Sequence, residues 1–259
     1  MKIIIPMTGY GSRFVAAGYK DLKPLIRVQG KPIIEWIVKG MYPGETDFLF
    51  VCREEHLREI PEMEQILHTL APKGQIFAIR DWVKKGPVYD VLRASACIPD
   101  DVPCIVNYCD FYQDWDHAAF LEEALRRGCD GAVPCYSGFH PHLLPQKNLY
   151  ASCRVDANDD LIEIREKYSF EPDKTRARHS PGVYYFRTGA LLKHYFQKQV
   201  DCGQTINGEH YASLPYNFMV ADGRKVWAPV DVRYFCQWGT PEDMQEYLFW
   251  TELTRRYEE

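Results

Sequence analysis

The sequence predicts an α/β protein built on a doubly wound, mainly parallel sheet, with further β elements inserted on the substrate side. Three observations predict it. Short apolar runs alternate with helical stretches over the first 135 residues. The first run, Ile3-Ile4-Ile5, opens directly into a glycine-rich loop that leads to Arg13 and Lys23. The fourth run ends on an acidic residue, Asp110. In doubly wound sheets ligands sit at the carboxyl ends of the strands, and both unusual stretches, residues 8–24 and 107–114, fall there.

Each element follows from its own pattern. KIIIP at 2–6 reads as a short buried strand. From Pro32, which suits a first helical position, Ile33, Trp36, Ile37 and Met41 recur at helical spacing. TDFLFVC is a second buried strand, and the helical stretch that follows it is interrupted at Pro61. GQIFAIR is a third strand, and a helix starts after Gly86-Pro87. PCIVNYCD is the fourth strand; DHAAFLEEALRRGCDG is a helix with a glycine C-cap, and GAVPCYS is a fifth strand. Beyond it, YASCRVDANDDLIEIREK reads as two short strands joined by an Asn-Asp turn. SPGVYYFRTG is another strand, followed by the helix ALLKHYFQKQ. KVWAPVDVRYFCQWG supplies one or two more strands, and the terminal helix opens with Thr240 as N-cap, Pro241 at N1 and Asp243 at N3. The expected organisation is one domain, in which residues 1–135 form a nucleotide-binding half and 136–259 an acceptor half.

At 259 residues the chain is long enough to bury a substantial core. A net charge of −5 argues against nonspecific nucleic-acid binding, so any bound anion must be held by a few focused cations. The cysteines are nine, an odd number, without CxxC spacing, which reads as buried thiols in a reducing compartment. No apolar run approaches membrane-spanning length and no signal segment is evident, so a cytoplasmic protein without a membrane partner is expected. Aromatic residues concentrate in the second half, where they serve core packing or a homo-oligomer interface.

The opening loop carries the sharpest chemistry. Gly9 and Gly11 let backbone N–H groups approach an anion closely. Arg13 can fork onto phosphate oxygens, and Lys23 offers a point charge whose exit is stiffened by Pro24. The spacing is neither a P-loop nor a dinucleotide fingerprint. At the fourth strand, Asp110 places a hard carboxylate at the sheet edge, the donor that Mg²⁺ takes beside triphosphate oxygens. Asp114 and Asp116 read better as helix caps, and His140 and His142, without an acidic companion, as a surface loop.

The segment MTGYGSRFVAAGYKDLKP, with the following GKPIIEWIV, resembles the signature of the sugar-phosphate nucleotidyltransferases, roughly G-x-G-[ST]-R-(x)n-K-P. The resemblance is dense over residues 3–38 and continues at intervals to about residue 245. It implies an enzyme that joins an NTP and a sugar 1-phosphate into an NDP-sugar and pyrophosphate, with Mg²⁺, for surface polysaccharide precursors. It implies phosphate contacts from Gly9, Gly11, Ser12 and Arg13, with Met7 and Thr8 in the same nucleotide-binding loop, and places Lys23 at the bond that forms. WVKKGPVYDVLRA resembles the base-contacting segment, implying roles for Gly86 and Pro87, while Asp90 caps the helix or contacts the base. IEIREKYSF, SPGVYYFRTG and GEHYASLPYN resemble acceptor segments, implying Lys167, Gly182 and Glu209 as acceptor contacts. Arg13, Lys23 and Asp110 are the implied catalytic residues.

One departure stands out. The family's D-T-G-T segment supplies a second metal contact, whereas QWGTPED carries Gln237 and Trp238 ahead of Gly239-Thr240. Asp231 is the candidate replacement, so the expected metal ligands are Asp110 and Asp231. The altered segment leaves open a cytidylyltransferase acting on a non-sugar phosphate, with CTP or dTTP as the favoured nucleotides. A more distant alternative is a GT-A-type glycosyltransferase or a nucleotide-sugar binding protein. The only D-x-D, at Asp114 and Asp116, sits in a capping position.

Overall fold

A computed structural model describes residues 1–145 and 150–258. Strand β1 (Lys2–Pro6) leads to α1 (Ser12–Ala16), the short hairpin β2 (Arg27–Val28) and β3 (Lys31–Pro32), and α2 (Ile33–Glu35). There follow β4 (Phe48–Arg53), α3 (Glu54–Glu59), α4 (Pro61–Leu70), β5 (Gln75–Ile79), α5 (Pro87–Arg93), β6 (Cys104–Asn107) and β7 (Phe111–Asp114). Next come α6 (His117–Arg126), β8 (Gly131–Ala132), β9 (Ser152–Val155), β10 (Leu161–Arg165), β11 (Arg178–His179) and β12 (Val183–Phe186). The chain closes with α7 (Gly189–Asp201), α8 (Pro215–Ala221), β13 (Val226–Trp227), β14 (Tyr234–Gln237) and α9 (Pro241–Glu258).

The central sheet has seven strands in the order β13-β8-β12-β6-β1-β4-β5. Strand β1 pairs in parallel with both β4 and β6, while β12 runs antiparallel between β6 and β8. Both halves of the chain therefore contribute to one sheet. Alternate residues of the inner strands enter two separate cores. Ile3, Ile5, Phe48 and Phe50 pack on one face, and Ile4, Leu49 and Val51 on the other. A sheet covered on both faces needs such continuous apolar strands, and their runs are what the sequence displays.

The order of the strands reverses at β1, whose neighbours β4 and β6 continue the chain in opposite directions. A crevice opens at such a switch point, outside the carboxyl ends of the strands. The loop after β1 and the turn after β6 flank it.

Four expectations change in detail. The helix from Pro32 is a single α turn that widens into a π turn over Trp36–Met41. Asp110 lies beyond the end of β6, in the turn before β7, rather than on the strand itself. Phe111–Asp114 forms an antiparallel ribbon with β14, which places Gln237 opposite Phe111 and Tyr234 opposite Asp114. Asp116 caps α6, accepting from the Ala119 N–H at 3.0 Å, as expected, but Asp114 belongs to the ribbon and pairs with Arg233 at 2.9 Å. The cap of α9 matches the expectation, since the Thr240 hydroxyl accepts from the Asp243 N–H at 3.1 Å.

Candidate active site

Two lobes of one cleft meet at the sheet edge. The first, of about 360 Å³, is lined by residues 6–14 of the opening loop together with Lys23, Trp82, Gly86, Pro87 and Asp90. The second, of about 380 Å³, is lined by Tyr150, Glu166, Lys167, Gly182, Tyr184 and Gln237 among others. Arg13, Tyr108, Asp110, Glu209, Tyr211 and Gly239 border both lobes. The junction thus holds two of the expected catalytic residues, and Lys23 lies beside it.

Lys23 is fixed from two sides. Its Nζ pairs with Asp110 Oδ2 at 2.8 Å and donates to the Gly239 carbonyl at 2.9 Å. The ammonium stands 5.5 Å from the Phe14 ring centroid, and its side chain is only 15% exposed. Pro24, buried behind it, opens a 3-10 turn that sets the direction of the lysine. Three separated segments are therefore tied at one cation. A Cβ on Gly239 would fall 2.6 Å from Gln237 Nε2, the end of a flexible side chain that would have to shift, and at an ordinary contact distance of 3.4 Å from Asp110 Oδ2. Arg13 extends from α1 into the same junction and stays exposed.

The opening loop is held from below. The Met7 N–H donates to the Val51 carbonyl at 2.8 Å, continuing the β1–β4 ladder past the strand end. Thr8 and Met7 are buried while Gly9, Tyr10, Ser12 and Arg13 face outward. Gly11 takes a left-handed conformation, φ 60°, before the chain turns into α1.

Gly86 has φ +94°, and a Cβ on it would meet the His210 backbone N at 2.6 Å. Its bare α-carbon lets residues 84–88 dock against residues 209–211, sealed by His210 N–H to Lys85 O at 2.8 Å and Val88 N–H to His210 O at 3.2 Å. Lys84 and Glu209 close the same seam with an ion pair of 2.9 Å. Gly182, φ +111°, lies against Tyr108 and Phe111 in the other lobe. Lys167 is a non-glycine residue with φ 54°, and its Nζ stands 5.4 Å from the Tyr211 ring centroid. Such a backbone costs energy and persists only where its surroundings hold it.

Beside Lys167 the Glu166 carboxyl is half-buried and accepts from the Ser213 hydroxyl at 2.5 Å. Burial pushes its pKa up to about 7, against the smaller opposing effects of that hydrogen bond and of Lys167. Sequence reasoning singled out Lys167 but passed over Glu166, Tyr108 and Tyr211. Glu166 stands in the quoted EK pair, so its signal was present. Tyr108 lies in an apolar run that reads equally well as core, and Tyr211 stands in the quoted GEHYASLPYN segment, where Glu209 alone drew an acceptor role.

The structure does not bring Asp231 to the cleft. The chain from Asp231 to Gln237 does not fold back; it runs out along β14, and the ribbon register sets Gln237 at the Asp110 end. Asp231 consequently lies at the opposite end, near Asp116 and Arg233, with its N–H on the Cys135 carbonyl. His140 and His142 differ too from a surface loop. They are half-buried against Tyr136 and Phe235, and the Tyr136 hydroxyl lies 2.9 Å from His142 Nε2. Burial drives the His142 pKa down to about 3.

Among the described residues no group of three His, Cys, Asp or Glu side chains could hold a metal by itself. One carboxylate at the junction, Asp110, suits Mg²⁺, an ion that takes most of its octahedron from phosphates and water.

A crevice at the switch point of a doubly wound sheet, with cations gathered where two lobes meet, defines the class as nucleotide-handling α/β proteins. The chain belongs to the MobA-like NTP transferase domain family, whose pattern matches residues 3–169, and it is a nucleotidyltransferase. Among solved structures, it is similar to a nucleoside-diphosphate-sugar pyrophosphorylase from Vibrio cholerae RC9, with TM-score 0.75 and 19% identity over 95% of this chain and 99% of that one. It is similar also to a UDP-glucose pyrophosphorylase solved with UDP-glucose, with TM-score 0.73 and 17% identity over 98% of each chain. At these identities the likeness is one of fold. No curated protein matches the sequence. Among the described residues no helix is long and apolar enough to cross a membrane.

Proposed function

We propose that this enzyme joins an NTP and a phosphate monoester, a sugar 1-phosphate, into an NDP-sugar and pyrophosphate. The observation that carries the reading is the junction itself. Lys23, Asp110 and Arg13 stand where a lobe built from the opening loop meets a lobe built around Lys167. A triphosphate in the first lobe and a monoester in the second would present their reacting phosphates to one another there.

The acceptor phosphate oxygen attacks the NTP α-phosphorus in line, forming the new P–O bond as the bond to pyrophosphate breaks. No side chain needs to become covalently bound. The protein positions both partners and balances charge. Lys23, held by Asp110 and Gly239, faces the α-phosphate, and Arg13 steadies the leaving pyrophosphate. Lys167 and Glu209 contact the acceptor. Asp110 would hold Mg²⁺, which when bound neutralises phosphate oxygens. The reading assigns the first 135 residues chiefly to the nucleotide and the remainder chiefly to the acceptor. It places the reaction in the cytoplasm, supplying precursors for surface polysaccharide.

A panel of phosphate monoesters tested against the four common NTPs, with pyrophosphate release measured, tests this. Turnover with a sugar 1-phosphate is the expected result. Turnover only with a non-sugar phosphate would move the enzyme to the alternative acceptor class, and no release with any pair would overturn the reading.

A further inference from the structure

Outside the cleft, a groove of about 480 Å³ opens between α9 and the ribbon strand β14. One face of α9 forms a wall of it: Asp243, Glu246, Tyr247, Trp250, Thr251 and Thr254 recur at helical spacing and all border the groove. The facing wall comes from β14 and from residues 139–142. Phe235 lies deep in it, its ring stacked on Tyr136 at 4.3 Å and edge-on to His142 at 5.3 Å. Trp250, Tyr234 and Phe139 stand toward solvent, each more than half exposed. Among the described residues the groove shares Gln237 alone with the lobe around Lys167, and none with the nucleotide lobe.

The charge of this groove is the reverse of what a phosphate site needs. Among the described residues no lysine or arginine borders it, whereas the carboxylates of Asp243 and Glu246 do. Two neutral hydroxyls reach Asp243 Oδ2, Thr240 at 2.8 Å and Tyr150 at 3.4 Å. Burial raises the Asp243 pKa, and Glu242 and Glu246 add to the rise against those hydrogen bonds. The histidines bring no positive charge at neutral pH, since burial lowers the pKa of both, that of His142 to about 3. Aromatic faces attract a cation through the ring quadrupole, and carboxylates attract it by direct charge. An anion meets repulsion here, and a neutral ligand gains from the rings but not from the carboxylates.

We propose that this groove is a second ligand site, and that it takes a small organic cation, an amine or quaternary ammonium carried on an apolar or aromatic body. Asp243 and Glu246 meet the charge, and Trp250, Tyr234 and Phe235 meet the body. The volume is that of an ordinary small-molecule site. The site stands behind one wall of the cleft. Gln237, Tyr150 and Thr240 face the lobe around Lys167, and the last two hold Asp243 from that side. The groove is therefore next to the cleft and not part of it.

Titration calorimetry of the full chain tests this, at neutral pH and without nucleotide or acceptor, using three probes of similar body and different charge. Benzyltrimethylammonium is expected to bind one site with Kd below about 1 mM, benzyl alcohol about tenfold more weakly, and phenylacetate not at all. Trp250→Ala should weaken the cation about fivefold or more, Trp250→Phe should keep most of the affinity, and Glu246→Gln should weaken it about threefold. Both side chains are exposed, so the variants are expected to fold, and either one carries the test should the other fail. No binding of the cation, equal binding of benzyl alcohol, or full-strength binding to Trp250→Ala and Glu246→Gln would overturn the proposal. A dimer in sedimentation velocity that Trp250→Ala takes apart would give the groove to a second copy of the chain and overturn it as well.

Discussion

Two aspartates divide the account at the scale of residues. Asp110 shares a hydrogen-bonded ion pair with Lys23 at the junction, while Asp231 lies at the far end of the ribbon near Asp116. Asp110→Asn is expected to keep the fold, checked by circular dichroism, and to lose activity by 10²-fold or more with Mg²⁺ present. Asp231→Asn is expected to leave turnover within about twofold, and a large loss there would return it to the site. Glu166 supplies a pH signature. Burial raises its pKa from 4.5 to about 7, opposed by Ser213 and Lys167. The folded state therefore binds this proton more tightly than the unfolded chain, and stability from this group falls as pH rises from about 4.5 through about 7. Urea unfolding at pH 5 and pH 8 should show the wild type losing ground to Glu166→Gln at the higher pH. An equal difference at both values would contradict the burial assigned to it. Asp231 also shows where sequence legibility stopped. Its distance from Gln237 along the chain was readable, but its side of the site depended on a ribbon register that spacing does not reveal.

Elements were legible where local pattern and tertiary demand agreed. The buried strands β1, β4 and β6 show unbroken apolar runs because both faces of the sheet are covered. The Pro61 break and the Thr240 cap act through local stereochemistry, which sequence displays directly. Strand β7 was hidden because FYQDWD mixes polar and aromatic residues, and its strand character comes from pairing with β14, over 100 residues later. Helix α8 was missed for a related reason: PYNFMVA is seven residues long and takes its order from packing on α7 and β10. Gly86 belongs to this scale, since it permits one loop to dock on another. Gly86→Ala would push a Cβ to within 2.6 Å of the His210 backbone at a φ of +94°. Expected consequences are a loss of roughly 1–3 kcal/mol of stability and a raised KM for the nucleotide. Thermal unfolding and steady-state kinetics check both, and unchanged values would mean the seam gives way freely.

For the whole molecule, the sheet order explains why so few cations suffice in a chain of net charge −5. The switch point at β1 brings the opening loop, the turn after β6 and the segment after β14 to one place, though they are far apart in sequence. Lys23 is the group on which the three converge, so the central claim is that this convergence serves nucleotidyl transfer. The direct test is pyrophosphate release by Lys23→Ala beside wild type, on the NTP and phosphate monoester pair that the wild type turns over fastest. The account predicts a fall of 10²–10³-fold with the fold intact, the loss typical of removing one donor aimed at developing charge. Near-normal turnover by Lys23→Ala would contradict it.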